Sequence, residues 1–167
     1  KDVHLDFDFS APPILTRGKE GKDILVAGQK SGDVYGLDPD TGSIVWRQKL
    51  GRGGAMGGVH FGMAADGQVV FVPIHDNDTW LTSLHPVPKG LAAPGLYALD
   101  AFTGSRIWSA VVDCSGRRAC LGYSAPITAI PGVVFAAARD GQLHAYDSKS
   151  GKRLWSFDTA QTFTGVN

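Results

Sequence analysis

The sequence predicts an all-β chain assembled from repeated four-stranded units, and three observations predict it. One segment recurs: Val34 to Trp46 returns as Leu96 to Trp108 and again as Leu143 to Trp155. In each copy an Asp, a Thr or Ser three later, a Gly next and a Trp four further on agree. The repeat Trp residues lie 62 and then 47 residues apart, and the shorter period matches one propeller blade, for which about 40–50 residues are usual. Helix-period segments are absent and glycine is abundant, at 22 residues, as strands joined by tight turns require. The expected architecture is a partial β-propeller of about three to four four-stranded blades, one domain over residues 1–167. Its blade signatures are 34–46, 96–108 and 143–155, and the longer period implies an insertion.

Each signature reads as strand, turn, strand. Val34, Gly36 and Asp38 alternate with Tyr35 and Leu37 at the period of a pleated strand. The Asp can accept backbone N–H bonds from the residues after it, and the Gly can take the positive φ that ends the turn. A second strand runs into the Trp, which needs a neighbouring repeat to pack against because an isolated hairpin is marginal in water. The repeat Asp and Trp residues are therefore architectural, and no repeat Trp is given a catalytic role.

In chain order, residues 1–16 open acidic and aromatic, and Pro12-Pro13 bars a central strand until Ile14. Gly18 to Lys22 reads as a hairpin loop, Asp23 to Gly28 as a buried strand, and Gln29 to Asp33 as the turn into the first signature. The Gly-rich stretch from Gly51 to Gly58 fits neither a phosphate loop nor a dinucleotide fingerprint and reads as a flexible crossover. Val59 to Ala64 leads to a turn at Ala65-Asp66-Gly67 and a strand from Gln68 to Pro73. Residues 75–95 are the insertion, polar and then Pro-rich, and read as a surface loop. Asp76-Asn77-Asp78 lacks the Gly and terminal Glu of an EF-hand loop. The strand Val133 to Ala138, the turn Arg139-Asp140-Gly141 and the third signature complete the pattern.

Sixteen basic and sixteen acidic residues leave no net charge, and without a basic stripe nothing favours nucleic acid or an anionic membrane. No apolar run approaches the roughly 20 residues that span a bilayer. Cys114 and Cys120 enclose five residues. A short-loop disulfide in an oxidising compartment is the first reading, with half a zinc site or two unrelated thiols as alternatives. Three signatures are fewer than the roughly 4–8 blades that close a propeller, so the chain is expected to be a piece of a longer protein. Its open blade edges are then expected to self-associate.

The signatures, written Ala/Gly-Leu-Asp-x-x-Thr-Gly-x-x-x-Trp, resemble the tryptophan-docking repeats of pyrroloquinoline quinone (PQQ) enzymes, which are eight-bladed propellers. Four further stretches resemble the polyvinyl alcohol dehydrogenases and related quinohaemoprotein alcohol dehydrogenases. These are Asp6 to Phe9 with Pro13-Ile14-Leu15, Val26 to Gly32, Gly57 to Gly67, and Ala129 to Phe135. The resemblance implies a segment of a periplasmic PQQ- and Ca²⁺-dependent enzyme that oxidises a secondary alcohol or a polyol such as polyvinyl alcohol to a ketone. Electrons would pass to a cytochrome c.

Carried over by residue, the resemblance makes Asp6 the catalytic base and a Ca²⁺ ligand, with Asp8 competing for the assignment. Lys30 falls at the cation that contacts the quinone oxygens. His60 and Phe61 stand where relatives carry Asn and Trp beside the cofactor. The Trp that stacks under the quinone, the Glu and Asn that help bind Ca²⁺, and the paired adjacent cysteines of the family are not identifiable. No Cys-x-x-Cys-His is present, so a c-type haem would lie elsewhere in the full protein, and this segment is expected to be inactive alone. The competing expectation is a non-catalytic propeller of the same repeat, resembling the scaffold lipoprotein of outer-membrane protein assembly. The two separate on whether Asp6 and Lys30 converge on one ligand-sized space.

Overall fold

Apolar residues at alternate positions, broken by Gly and Asp at the turns, give twelve strands in the computed structural model, which describes residues 6–17, 21–76, 92–113 and 122–165. β1 (Ile14–Arg17), β2 (Asp23–Gly28), β3 (Asp33–Leu37) and β4 (Ile44–Lys49) form one antiparallel sheet in chain order. β5 (Ala64–Asp66), β6 (Val69–Ile74), β7 (Gly95–Asp100) and β8 (Arg106–Val111) form the second. β9 (Thr128–Ile130), β10 (Val133–Ala137), β11 (Gln142–Asp147) and β12 (Arg153–Asp158) form the third. The described residues thus hold three four-stranded sheets and no helix. Between sheets, β1 lies against β5 and β5 against β9. The fourth strands β4 and β8 face outward, with most residues exposed and the Trp buried. This is the fan of propeller blades, first strands inward and fourth strands outward.

The signature turns form as their chemistry requires. The Asp38 carboxylate accepts the N–H groups of Asp40 (3.0 Å) and Thr41 (2.8 Å). Asp100 and Asp147 repeat the arrangement with Thr103 and Ser150, each at 2.8 Å. The Thr41 N–H, with further hydrogen bonds from the Thr41 hydroxyl and the Asp40 N–H, holds Asp38 below the usual carboxylate range. In all three sheets the register shifts just before this Asp, between Gly36 and Leu37, Ala98 and Leu99, and Ala145 and Tyr146. Such a bulge sharpens the local twist. It also leaves a small residue opposite each Trp.

The middle sheet is buried on both faces. Val70, Val72, Ile74, Tyr97 and Leu99 join one core with Val26, Val34 and Trp46. Phe71, Leu96 and Ala98 turn to the other, with Trp108, Val134 and Tyr146. Two-sided burial explains why β6 reads as a continuous apolar run and not as an alternation.

Two expectations change. Ala65 and Asp66 belong to β5, so the turn there is only Gly67-Gln68. The Gly51–Gly58 stretch is not a loose crossover but is packed against the 29–32 turn. A Cβ on Gly53 would lie 2.2 Å from the Ser31 carbonyl oxygen, and one on Gly58 would lie 2.3 Å from that of Lys30. Gly53→Ala should therefore cost about 3 kcal/mol from overpacking and a disfavoured positive φ. Gly42→Ala, at φ 73° with open space around it, should cost only about 1 kcal/mol. Urea midpoints of the two variants check the difference.

Candidate functional site

Antiparallel connectivity sorts the loops by end. The signature turns 38–43, 100–105 and 147–152 lie at one end of the sheets. The β2–β3, β6–β7 and β10–β11 connections, the links between sheets and the segment before β1 all emerge at the other. Asp6, Lys30, His60 and Phe61 therefore share one end, opposite the turns that define the repeat.

Lys30 is buried, and its ammonium meets Asp6 Oδ2 at 2.5 Å and Asp8 Oδ2 at 3.4 Å. Asp6 is the non-glycine residue with positive φ (55°) among the described residues, a conformation tolerated by Asp but still costly. The turn that carries Lys30 is fixed on both sides. Its N–H donates to the Asp8 carbonyl (2.9 Å), and its own carbonyl accepts from Gly54 N–H (3.1 Å). Below it, buried Asp33 accepts from Ser31 Oγ (2.9 Å) and Arg47 Nε (3.0 Å) and pairs with Lys49 at 3.4 Å. Burial pushes the Asp33 carboxyl up, but the Arg47 and Ser31 hydrogen bonds and both nearby cations outweigh it and hold it low. The outcome is a buried ammonium facing two partly exposed carboxylates, a pre-set arrangement of charge.

His60 is buried, with Nδ1 3.3 Å from Ser124 Oγ, and it stacks on fully buried His75 at 5.7 Å between ring centroids. His75 Nδ1 bonds the Met56 carbonyl, so Nε2 carries the lone pair, and that buried atom has no hydrogen-bond partner among the described residues. Phe61, by contrast, is 57% exposed. It lines a cleft of about 460 Å³ with Met56, Ser124, Pro126 and Arg139.

Burial first, then the charges of His75 and Lys30, push His60 down to about 4, and burial lowers His75 as well. The folded state thus binds fewer protons than the unfolded chain between pH 6.5 and about 4, so stability is complete above this window and falls through it. The expected loss from His60 is roughly 3 kcal/mol. Urea unfolding at pH 7 and pH 4.5 measures it, and His60→Asn should flatten the slope.

Sequence reasoning gives Asp33 no role and places His75 and Asp76 in a solvated loop, whereas both are buried. Asp76 is buried and accepts the N–H groups of Arg52 (3.0 Å), Gly53 (3.1 Å) and Ala93 (2.9 Å). It ties the base of the 75–95 insertion to the Gly-rich connection. Cys114, Cys120 and residues 77–91 lie outside the described residues. Among the described residues no group of three or more His, Cys, Asp or Glu side chains is arranged to hold a metal ion. No helix is long and apolar enough to cross a membrane.

Comparison with known proteins matches this frame. A polyvinylalcohol dehydrogenase of Pseudomonas sp is 39% identical over 93% of the chain, and one from Sphingopyxis sp. (strain 113P3) is 37% identical over 92%. The chain spans about a quarter of each relative's length, 24% in both cases. The structure of quinohemoprotein alcohol dehydrogenase from Comamonas testosteroni superposes with a TM-score of 0.64 at 20% identity, over 92% of this chain and 21% of that one. BamB from Moraxella catarrhalis superposes at 0.55 and 20% identity, over 86% and 37%. At those identities the structures speak for the propeller fold alone. A PQQ-repeat family model described as outer membrane protein assembly factor BamB matches residues 30–166, and the chain belongs to that PQQ-repeat family.

Proposed function

We propose that the chain is the part of a PQQ-dependent alcohol dehydrogenase that carries the catalytic base and the quinone-facing cation. The supporting observation is the Lys30–Asp6 ion pair, formed across 24 residues at the end of the sheets away from the repeat turns. A bound quinone would supply the hydride acceptor. Lys30 would hold the quinone oxygens through its ammonium, a preset positive charge on that side of the site. Asp6, partly exposed beside it, takes the hydroxyl proton of a secondary alcohol or a polyol such as polyvinyl alcohol. His60, kept neutral by burial, fixes the loop that presents Phe61, whose exposed ring offers a flat apolar wall. The donor set suits a planar tricarboxylate quinone, since cations and an aromatic face gather at one end.

Ca²⁺ fits less well. Asp6 is engaged by Lys30, and the described residues bring no second and third ligand to it. Calcium ligation by Asp6 would need partners from beyond them, and no step is assigned to the metal. The whole protein is proposed to work in the periplasm and pass electrons to a cytochrome c, with any haem outside this segment. This segment alone is proposed to associate through its exposed β12 face.

Reconstitution of the full-length protein with PQQ, assayed by reduction of an artificial electron-acceptor dye across alcohols, tests the reading. Absence of any quinone-dependent dye reduction sinks it. That outcome would favour the second reading, a non-catalytic propeller scaffold, which the family model's description as an assembly factor supports.

A further inference from the structure

The repeat register exposes an arrangement that no single blade shows. Leu25, Val70 and Val134 stand opposite Leu37, Leu99 and Tyr146, each the residue before a signature Asp. Five residues further along, the same position is occupied by Lys30, His75 and Arg139. For Arg139 and Lys30 the equivalence is also physical, since the residue before each closes the same turn, Gln29 N–H on the Asp33 carbonyl and Ala138 N–H on that of Gln142, both at 2.9 Å. For Lys30 and His75 it shows in the backbone bonds they donate themselves. Lys30 N–H donates to the Asp8 carbonyl at 2.9 Å, and His75 N–H makes the matching bond to Gly58 at 3.0 Å. Three successive blades therefore place a basic residue at one level of the site end.

These three residues do not present equal charge. Lys30 is compensated by Asp6 and Asp8. His75 is fully buried against His60 and held neutral by that burial. Arg139 is exposed, has no hydrogen-bond or ion-pair partner among the described residues, and lines the same cleft as Phe61, Met56 and Ser124. Its charge reaches inward, opposing protonation of both His60 and His75. An uncompensated guanidinium beside an exposed aromatic ring in a cleft of about 460 Å³ is suited to a carboxylate on a flat or apolar body. The planar fork takes both oxygens together.

We propose that Arg139 binds a carboxylate of the ligand that lies against Phe61 in this cleft. The inference rests on the quinone reading above. The carboxylate belongs either to the quinone or to an acid-bearing alcohol substrate, and two arms of one experiment separate these sources. In the full-length protein, PQQ uptake is titrated by its absorbance and by equilibrium dialysis for wild type, Arg139→Met and Arg139→Lys. KM is then measured for a neutral secondary alcohol and for its carboxylated analogue.

A quinone carboxylate predicts that Arg139→Met weakens PQQ binding about 10- to 100-fold and reduces its salt dependence. A substrate carboxylate predicts unchanged PQQ binding, a rise of similar size in KM for the hydroxy acid, and an unchanged KM for the neutral alcohol. Arg139→Lys should recover part of either loss, as a point charge without the fork. PQQ binding and both KM values within twofold of wild type in Arg139→Met overturn the proposal and leave the quinone reading intact. A wild-type protein that takes up no PQQ overturns the quinone reading itself, and the proposal with it.

Discussion

Lys30→Met in the full-length protein is expected to lower quinone-dependent dye reduction by about 100-fold or more, the scale seen when one preorganised donor to a developing charge is removed. The ammonium carries three N–H groups, and Asp6 and Asp8 engage it at 2.5 and 3.4 Å. A further donor remains for a quinone oxygen. The fold should survive the substitution, because backbone bonds to Asp8 and Gly54 and the Asp33 network hold the turn without the side chain. The melting midpoint is therefore expected to move by only a few degrees. Asp6→Asn and Asp8→Asn separate the two carboxylates. If Asp6 is the base, its Asn variant loses kcat and kcat/KM together, as an interaction made in the transition state requires. Asp8→Asn should then cost less than about fivefold. Equal losses from both variants would assign the base to the pair and not to Asp6.

What could be read beforehand followed how local the physics is. The turns at Asp38, Asp100 and Asp147 close within a few residues, so spacing alone reveals them. The Asp6–Lys30 pair spans 24 residues, and only resemblance to a family pointed to it. Arg139 carries a signal in the repeat itself. It stands as far before Asp147 as Lys30 stands before Asp38, so the repeat could have served as a ruler. In the middle sheet the same count fails, because the insertion separates His75 from Asp100 and hides its equivalence. Composition alone makes Gly53 and Gly58 look like flexibility. Their real reason is backbone approach to Ser31 and Lys30, a long-range contact that composition cannot report. Asp76 misled for a related reason, since a polar run gives no sign of which carboxylate turns inward to collect three N–H groups.

Trp46→Ala and Trp108→Ala should each destabilise this chain by about 3–5 kcal/mol, the usual cost of deleting a buried aromatic, whereas Trp155→Ala should cost less than about 1 kcal/mol. The difference follows from what each indole meets across the blade boundary. Trp46 donates its ring N–H to the Ala101 carbonyl and Trp108 to that of Ser148, both at 2.9 Å. Each ring lies on the signature Gly of the next blade, where a Cβ on Gly104 or Gly151 would come within 2.6 or 2.5 Å of it. Both are 9% exposed, whereas Trp155 is 46% exposed and, among the described residues, its ring makes a tilted contact with Phe135. Phe substitution at Trp46 or Trp108 isolates the polar part, since it retains most of the packing but leaves a buried carbonyl unpaired at about 1–2 kcal/mol. In a longer protein with a further blade on β12, Trp155→Ala should cost as much as the other two. In this chain alone, association through the same face would instead make the urea midpoint rise with protein concentration, and Trp155→Ala would abolish that rise. A large, concentration-independent cost for Trp155→Ala here would show that the repeat Trp acts within its own sheet and not as the lock between blades.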